Sequence, residues 1–200
     1  MKVIQIAGFL GSGKTTTIIA LSKKISADRR KRVAVIVNEI GQVPVDAKVL
    51  GEYGLRVMEI GQGCICCEVA SSMAFTIKEL GETFKPELVL VEPTGVALPE
   101  QVKGAVELGC KYTRVEIGKV VVLFDALRGE ELLAYDELKE FVMRQLNDAE
   151  IIAINKIDAA TEEQLDFCER KLANWNPKAE IIRISASMGI GIEELMKKIV

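Results

Sequence analysis

The sequence predicts an α/β fold of three layers, in which a mostly parallel central sheet is covered by helices on both faces. Seven short apolar runs alternate with helix-like segments along the 200 residues. The runs are almost continuously apolar, which indicates strands that are buried on both faces. A hydrophobic fraction of 49% and a charged fraction of 28% suit one globular domain over residues 1–200.

Each element follows from its local pattern, with short apolar runs as strands and the longer segments between them as helices. The predicted strands are Val3–Ala7, Val33–Val37, Leu55–Ile60, Leu88–Val91, Val120–Phe124, Ile151–Ile154 and Ile181–Ile184. The predicted helices lie near 14–26, 68–84, 97–109, 129–147, 161–174 and 192–199. Segment 38–54, rich in glycine and polar residues, is predicted to be a mobile loop. Cys110 and Cys168 fall in helical segments and are predicted to be core residues.

Charge and hydropathy exclude several classes of partner. The net charge of −3 argues against nucleic acid, which requires a basic face. The basic residues at 23–24 and 29–32 are interpreted as a solvated turn after the first helix. No apolar run approaches the ~20 residues of a membrane span, and the first residues lack a signal-peptide pattern. We therefore expect a cytoplasmic protein that binds neither membrane nor nucleic acid.

Residues Gly8–Thr15 read G-x-x-x-x-G-K-T between an apolar strand and a helix, which is the phosphate-binding P-loop pattern. Its glycines let several backbone N–H groups face one phosphate chain, and the helix N-terminus favours the anion. Lys14 is expected to reach the β- and γ-phosphates, and Thr15 to bind Mg²⁺. The nucleotide-binding residues predicted here are Gly8, Gly11, Ser12, Gly13, Lys14, Thr15 and Thr16.

A second motif, N-K-x-D, follows the apolar run that ends at Ile154. The carboxylate of Asp158 can accept two N–H donors of guanine, a donor pair that adenine lacks. Asn155 can bind the base and the neighbouring loop, and the stem of Lys156 can cover the ring. Backbone N–H groups of Ser185 and Ala186 are expected to close the pocket. The motif favours GTP over ATP, although a helix-capping loop would also fit it.

Acidic residues follow three of the predicted strands. Glu92 is expected to hold Mg²⁺ through water or to polarise the attacking water, and the Gly95 amide to face the γ-phosphate. Glu39 would lie beside the metal as a further ligand or catalytic group. Each of these acids could instead be an ordinary loop carboxylate. Asp125 is equally compatible with a structural and a functional role.

Cys64, Cys66 and Cys67 lie within four residues, in a glycine-rich segment between a strand and a helix. Clustered thiolates suit Zn²⁺, Co²⁺, Ni²⁺ or Cu⁺. The chain has no histidine, so a fourth ligand would be water, Glu39, Glu68 or a group from a second subunit. A redox-active dithiol and simple packing of the thiols are the alternatives.

Taken in order, these motifs resemble those of CobW-like GTPases, which are relatives of the UreG and HypB metallochaperones. The matching segments are 8–16, 38–41, 63–67, 92–95 and 155–158, and Cys-x-Cys-Cys is the most specific of them. The resemblance covers essentially the whole chain and implies a P-loop GTPase of the dimerising SIMIBI class. Such proteins handle Zn²⁺, Co²⁺ or a similar ion for a client metalloprotein or a cobalamin-related system.

The sequence thus predicts a Mg²⁺-dependent GTPase that cycles between GTP and GDP. Its hydrolysis would gate binding or release of Zn²⁺, Co²⁺ or Ni²⁺ at the three cysteines. The expected partners are GTP, a client metalloprotein and, in a nucleotide- or metal-dependent state, a second copy of the chain. Two alternatives stay open: a non-catalytic sensor of nucleotide and metal, and a redox-active ATPase in corrinoid or cluster activation.

Overall fold

A computed structural model describes residues 1–29, 31–37, 56–59 and 68–200. Strands and helices alternate along the chain as follows: β1 (Lys2–Gly8), α1 (Lys14–Arg29), β2 (Val33–Val37), β3 (Arg56–Glu59), α2 (Glu68–Thr83), β4 (Leu88–Glu92), α3 (Pro99–Gly109), β5 (Glu116–Asp125), a 3₁₀ turn (Ala126–Arg128), α4 (Gly129–Ala134), α5 (Asp136–Asn147), β6 (Ile151–Asn155), α6 (Glu162–Trp175), β7 (Glu180–Arg183) and α7 (Ile192–Ile199). The predicted loop over 38–54 lies outside the described residues.

The seven strands form one sheet in the order β3-β2-β4-β1-β5-β6-β7, and every pairing is parallel. Alternate residues of the strands face opposite layers. Helices α1 and α7 pack on one face, with Ile18, Leu21 and Leu195 completely or almost completely buried. Helices α2 to α6 pack on the other face. The prediction of a three-layer α/β fold with a parallel sheet is confirmed.

Several element boundaries differ from the predictions by one or two residues, and three differ by more. Strand β5 begins at Glu116, four residues before its predicted start, because Glu116 and Ile117 pair with the first residues of β1. The predicted helix over 129–147 is two helices, since Tyr135 has an extended backbone with ψ 122°. Asp136 and Glu137 then occupy the first turn of α5, where acidic side chains interact favourably with the helix dipole. Helix α1 extends three residues beyond its predicted end, to Arg29.

The parallel arrangement brings the carboxyl ends of the strands to one edge of the sheet. Gly8, Glu92, Asp125 and Asn155 are the last residues of β1, β4, β5 and β6, and Asp125 pairs in register with Asn155. Ligands of open α/β sheets bind at this edge. Residues that are 30 to 147 positions apart in sequence therefore lie together at this edge of the sheet.

Candidate functional site

The P-loop conformation depends on its glycines. The backbone φ angles of Gly8, Gly11 and Gly13 are 142°, 77° and 94°, values that residues with a Cβ rarely adopt. A Cβ on Gly8 would lie 2.6 Å from the carbonyl oxygen of Leu123, and one on Gly13 would collide with the Asn155 amide. The loop therefore lies against β5 and β6 more closely than any side chain permits.

Two P-loop side chains meet the end of β4. Thr15, in the first turn of α1, donates its hydroxyl to Glu92 Oε1 at 2.6 Å. Glu92 is only 2% exposed, and the adjacent Lys14 is also buried. Ser12 Oγ is buried without a hydrogen-bond partner in the described structure. A buried hydroxyl of this kind costs free energy unless a ligand or water satisfies it.

Asn155 joins the two sequence motifs. Its Nδ2 donates to the Ser12 carbonyl at 2.8 Å, and its Oδ1 accepts the Ala186 N–H at 3.0 Å. The side chain is 3% exposed, so its bonds form in a poorly solvated environment. Asn155 thus fastens the P-loop to the loop that follows β7, and the Ala186 N–H binds this amide in the present structure.

The other residues of the N-K-x-D motif differ in environment. Lys156 has a left-handed φ of 69° and donates from Nζ to Asp125 Oδ2 at 2.7 Å. Asp125 is 2% exposed, and its second oxygen accepts the Leu127 N–H. Asp158 is exposed in the turn before α6. Sequence reasoning left Asp125 open, and the structure shows that it holds Lys156.

The loop after β7 is braced by its own backbone. Ser185 and Ile190 exchange two backbone hydrogen bonds, at 3.0 and 3.1 Å. The buried hydroxyl of Ser185 accepts the Met188 N–H and lies 3.1 Å from Ser187 Oγ. This loop holds Ala186 beside Asn155, whose Oδ1 accepts the Ala186 N–H.

Gly95 lies in the loop after Glu92, directly against the P-loop. A Cβ on Gly95 would lie 2.5 Å from Leu10 Cδ2 and 2.9 Å from the Leu10 amide nitrogen. Gln145 of α5 donates to the carbonyls of both Gly95 and Ala97, at 3.1 and 2.8 Å. Sequence reasoning missed Gln145. The sequence hints at its role only in that a polar carboxamide stands between the apolar residues Met143 and Leu146, both of which are buried.

Sequence reasoning also missed Arg128. Its Nη1 donates to the Leu10 carbonyl at 3.3 Å, and its guanidinium lies 5.9 Å from the Phe9 ring centroid. Two hydrogen bonds to Glu131, both 3.1 Å, raise the pKa of Arg128 above its ordinary value. An arginine just after a strand gives no sequence signal that it will brace a loop 118 residues away.

Four predicted site residues, Glu39, Cys64, Cys66 and Cys67, lie outside the described residues. Among the described residues, no group of three or more cysteine or acidic side chains is placed to hold a metal ion. Likewise, no described helix is long and apolar enough to cross a membrane.

The two remaining cysteines, Cys110 and Cys168, differ in their exposure. Cys168 is completely buried, as predicted, and burial, with a smaller effect of Asp125, raises the pKa of its thiol to about 11. The prediction of a core position for Cys110 is wrong, because this residue is exposed. Helix α3 ends at Gly109, and Cys110 lies just beyond the buried stripe that includes Val102, Ala105 and Val106.

Two curated proteins are similar in sequence to most of this chain. The zinc chaperone YeiR of Escherichia coli (strain K12) is 33% identical over 172 residues, which cover 85% of this chain and 49% of YeiR. The zinc chaperone CobW of a Sinorhizobium species is 32% identical over 221 residues, which cover 94% of this chain and 62% of CobW. The chain thus spans about half to three fifths of the length of these relatives.

Solved structures share the fold at lower sequence identity. The hydrogenase maturation factor HypB from Archaeoglobus fulgidus superimposes with a TM-score of 0.73 at 22% identity, covering 98% of this chain and 87% of HypB. The Zn(II)-bound YjiA GTPase from E. coli gives 0.61 at 21% identity, covering 96% of this chain and 61% of YjiA. The model of the CobW/HypB/UreG nucleotide-binding domain matches residues 2–183. The chain belongs to the CobW/HypB/UreG family.

Proposed function

We propose that this protein is a Mg²⁺-dependent GTPase whose nucleotide state controls the binding and delivery of a transition metal. The observation that carries the proposal is the joining of three elements at one sheet edge. Thr15 of the P-loop bonds to Glu92, and Asn155 of the base motif bonds to the Ser12 carbonyl. These hydrogen bonds support the proposal, because the proposed phosphate site and the proposed guanine site would then adjoin on a shared framework.

The phosphate side of the site suits a triphosphate. The positive-φ glycines turn the loop around the N-terminus of α1, where backbone N–H groups and the helix dipole favour an anion. Lys14 would neutralise charge on the β- and γ-phosphates, and Ser12 Oγ is a hydroxyl in need of a partner. The Gly95 amide would meet the γ-phosphate from the opposite side.

The residues present also fit Mg²⁺. The Thr15 hydroxyl donates its hydrogen to Glu92, which leaves a lone pair on the hydroxyl oxygen free to bind a hard cation. Glu92 would hold the ion through water or orient the attacking water, and Glu39 is proposed as a further group of this site. When bound, Mg²⁺ would neutralise charge on the phosphate oxygens.

On the base side, Asp158 would accept the paired N–H donors of guanine, and Lys156 would cover the ring face. Lys156 and Asn155 already have protein partners, so binding requires little rearrangement of either side chain. Ser185 and Ala186 would limit the pocket beside the base. Discrimination against adenine would come from leaving the Asp158 carboxylate without its donors.

The sheet offers a route from nucleotide to cargo metal. Val37 of β2 pairs with Glu92 on one side and with Glu59 on the other. Glu59, the last residue of β3 and five positions before Cys64 in sequence, thus lies two strands from Glu92, about 10 Å away. We propose the thiolates of the Cys-x-Cys-Cys motif that begins at Cys64 as the cargo site, with Zn²⁺ as the first metal to test because two relatives are named zinc chaperones.

Metal titration in two nucleotide states tests the proposal. Zn²⁺, Co²⁺ and Ni²⁺ affinities are measured with GDP and with a non-hydrolysable GTP analogue, and GTP turnover is measured with and without each metal. We expect affinity to differ between the nucleotide states and metal to change GTP affinity by the same factor. The triple Cys→Ser variant at 64, 66 and 67 should lose metal, whereas Cys110→Ser, at an exposed cysteine, should retain it.

The outcomes also separate the alternatives. Tight nucleotide binding with negligible turnover, even with metal and client present, would favour the non-catalytic sensor. A preference for ATP would favour the redox-active ATPase. Metal affinity that is identical in both nucleotide states would remove the coupling, and binding that survives the triple substitution would place the metal elsewhere.

A further inference from the structure

Gln145 is a buried carboxamide on a helix face that otherwise packs in the core. It is 1% exposed, and its neighbours Val142, Met143 and Leu146 are buried apolar residues. Leucine or methionine would suit this position by hydrophobicity alone, because burying an amide is costly unless it is hydrogen-bonded. The presence of a polar residue at this position must therefore be explained by the hydrogen bonds of its amide.

Those partners lie on one tight turn 48 to 50 residues away in sequence. Nε2 of Gln145 donates to the carbonyl oxygens of Gly95 and Ala97, at 3.1 and 2.8 Å. The Ala97 N–H closes the same turn by donating to the Thr94 carbonyl at 3.0 Å. Both hydrogens of the amide are thus used to hold the turn that follows β4.

This turn is positioned against the P-loop at its other side. Gly95 approaches Leu10 so closely that a methyl group would lie 2.9 Å from the Leu10 amide nitrogen. The same loop begins at Glu92, which holds Thr15. The turn is therefore held between α5 and the P-loop, and its height above the P-loop depends on the bonds from Gln145.

We infer that Gln145 is a positioning residue for recognition of the γ-phosphate. It sets the distance of the Gly95 amide from the terminal phosphate and does not itself touch the nucleotide. The inference rests on the proposed function, because it requires GTP at the P-loop. Loss of the amide should weaken GTP binding and hydrolysis while GDP binding is preserved, since GDP lacks the group that Gly95 would meet.

The test compares Gln145→Met with Gln145→Asn. Methionine keeps the volume and removes both donors, whereas asparagine keeps the amide but shortens its reach. Affinities for GDP and a non-hydrolysable GTP analogue, together with kcat, are measured on protein shown to be folded. For Gln145→Met we expect the preference for the GTP analogue over GDP and kcat to fall about 10-fold to 100-fold. Gln145→Asn should fall between it and the wild type.

Asn176→Leu is the matched control. Asn176 is a buried amide that donates to the carbonyls of Leu146 and Ala149, at 2.8 and 3.0 Å, at the C-terminal end of α5 rather than to the turn that contains Gly95. This variant should lose stability but keep the wild-type preference between the two nucleotides. A folded Gln145→Met protein with unchanged preference and kcat would overturn the inference and leave the proposed function intact. A wild type that neither prefers the GTP analogue nor hydrolyses GTP would overturn both.

Discussion

The phosphate side and the base side of the candidate site are built differently. On the phosphate side, Lys14 and Glu92 are buried, and Glu92 is bonded to Thr15. On the base side, the side chains of Asn155 and Lys156 are hydrogen-bonded to other residues of the protein, and Asp158 is exposed. The side chains proposed to act on the phosphates are thus preorganised in a poorly solvated environment, whereas Asp158, which is proposed to recognise the base, must lose water when it binds.

This difference predicts that the phosphate side mainly determines turnover and that the base side mainly determines which nucleotide binds. Preorganised charges in a site from which water is excluded contribute most to a transition state, because they need no rearrangement during the reaction. An exposed carboxylate contributes to selectivity, and part of its interaction is offset by desolvation. Substitutions on the phosphate side should therefore affect turnover most, and those on the base side should affect nucleotide choice.

The largest effect is expected for Lys14→Ala. Removal of the ammonium group takes away the positive charge that Lys14 would place beside the developing phosphate charge, and we expect kcat for GTP to fall about 10²-fold to 10³-fold. Single-turnover hydrolysis measures the change. Lys24→Ala is the matched control, because Lys24 lies on the same helix and pairs with Glu193 at the surface, 3.2 Å away. Equal loss in both variants would contradict a specific role for Lys14.

Glu92→Gln tests the metal on the same side. Glutamine can still accept the Thr15 hydroxyl, so the hydrogen bond survives while the charge is lost. We expect the Mg²⁺ concentration for half-maximal turnover to rise about 10-fold, because a hard cation prefers a carboxylate to an amide. A Mg²⁺ titration of turnover measures this. Glu87→Gln, at the other end of β4, is the control and should leave the titration unchanged.

Asp158→Asn tests the base side, with an effect on selectivity rather than rate. Loss of one charged hydrogen-bonding group should weaken GTP binding about 10-fold to 100-fold, in line with the ~1.5–3 kcal/mol of such bonds, and leave ATP binding unchanged. Competitive titration with both nucleotides measures the preference. Asp166→Asn, at a surface partner of Arg183, is the control. Equal affinity of the wild type for GTP and ATP would contradict guanine recognition altogether.

Much of this two-sided site was predictable because parallel strands end at one edge. The apolar run before each motif predicted that Glu92 and Asn155 would follow or end strands, and the alternation of elements predicted that those ends would meet. The P-loop and base motifs are local in sequence, so their residues could be identified one by one. Their mutual contact through Ser12 and Asn155 follows from the fold.

The supporting residues were not predictable for the opposite reason. Gln145 and Arg128 act on loops 48 to 118 residues away, and nothing near them in sequence indicates the partner. The exposure of Cys110 was missed because a helical pattern does not show at which residue the buried stripe ends. The break at Tyr135 was missed because the residues around it contain neither glycine nor proline.

A further prediction concerns packing beneath the base side and affects stability rather than nucleotide binding or turnover. Cys168 lies under the turn after Asp125, with Sγ 4.0 Å from the Ala126 carbonyl oxygen. Burial is the main reason that the pKa of its thiol rises from 9.0 to about 11. Folding thus favours the neutral thiol, so its contribution to stability is complete below pH 9 and is lost as the pH rises towards 11.

Cys168→Ala should remove this part of the pH dependence. Its free energy of unfolding will be lower at pH 8, because the substitution leaves a cavity. The difference from the wild type should then narrow by about 1–2 kcal/mol between pH 8 and pH 11, as the buried thiol loses its advantage. Urea unfolding across this range measures the difference, which cancels the titration of lysines and tyrosines common to both proteins. For Cys110→Ala, at an exposed thiol, the free energy of unfolding should change with pH in parallel with that of the wild type. The same parallel behaviour for Cys168→Ala would contradict the prediction, because it would show that ionisation of this thiol does not affect stability.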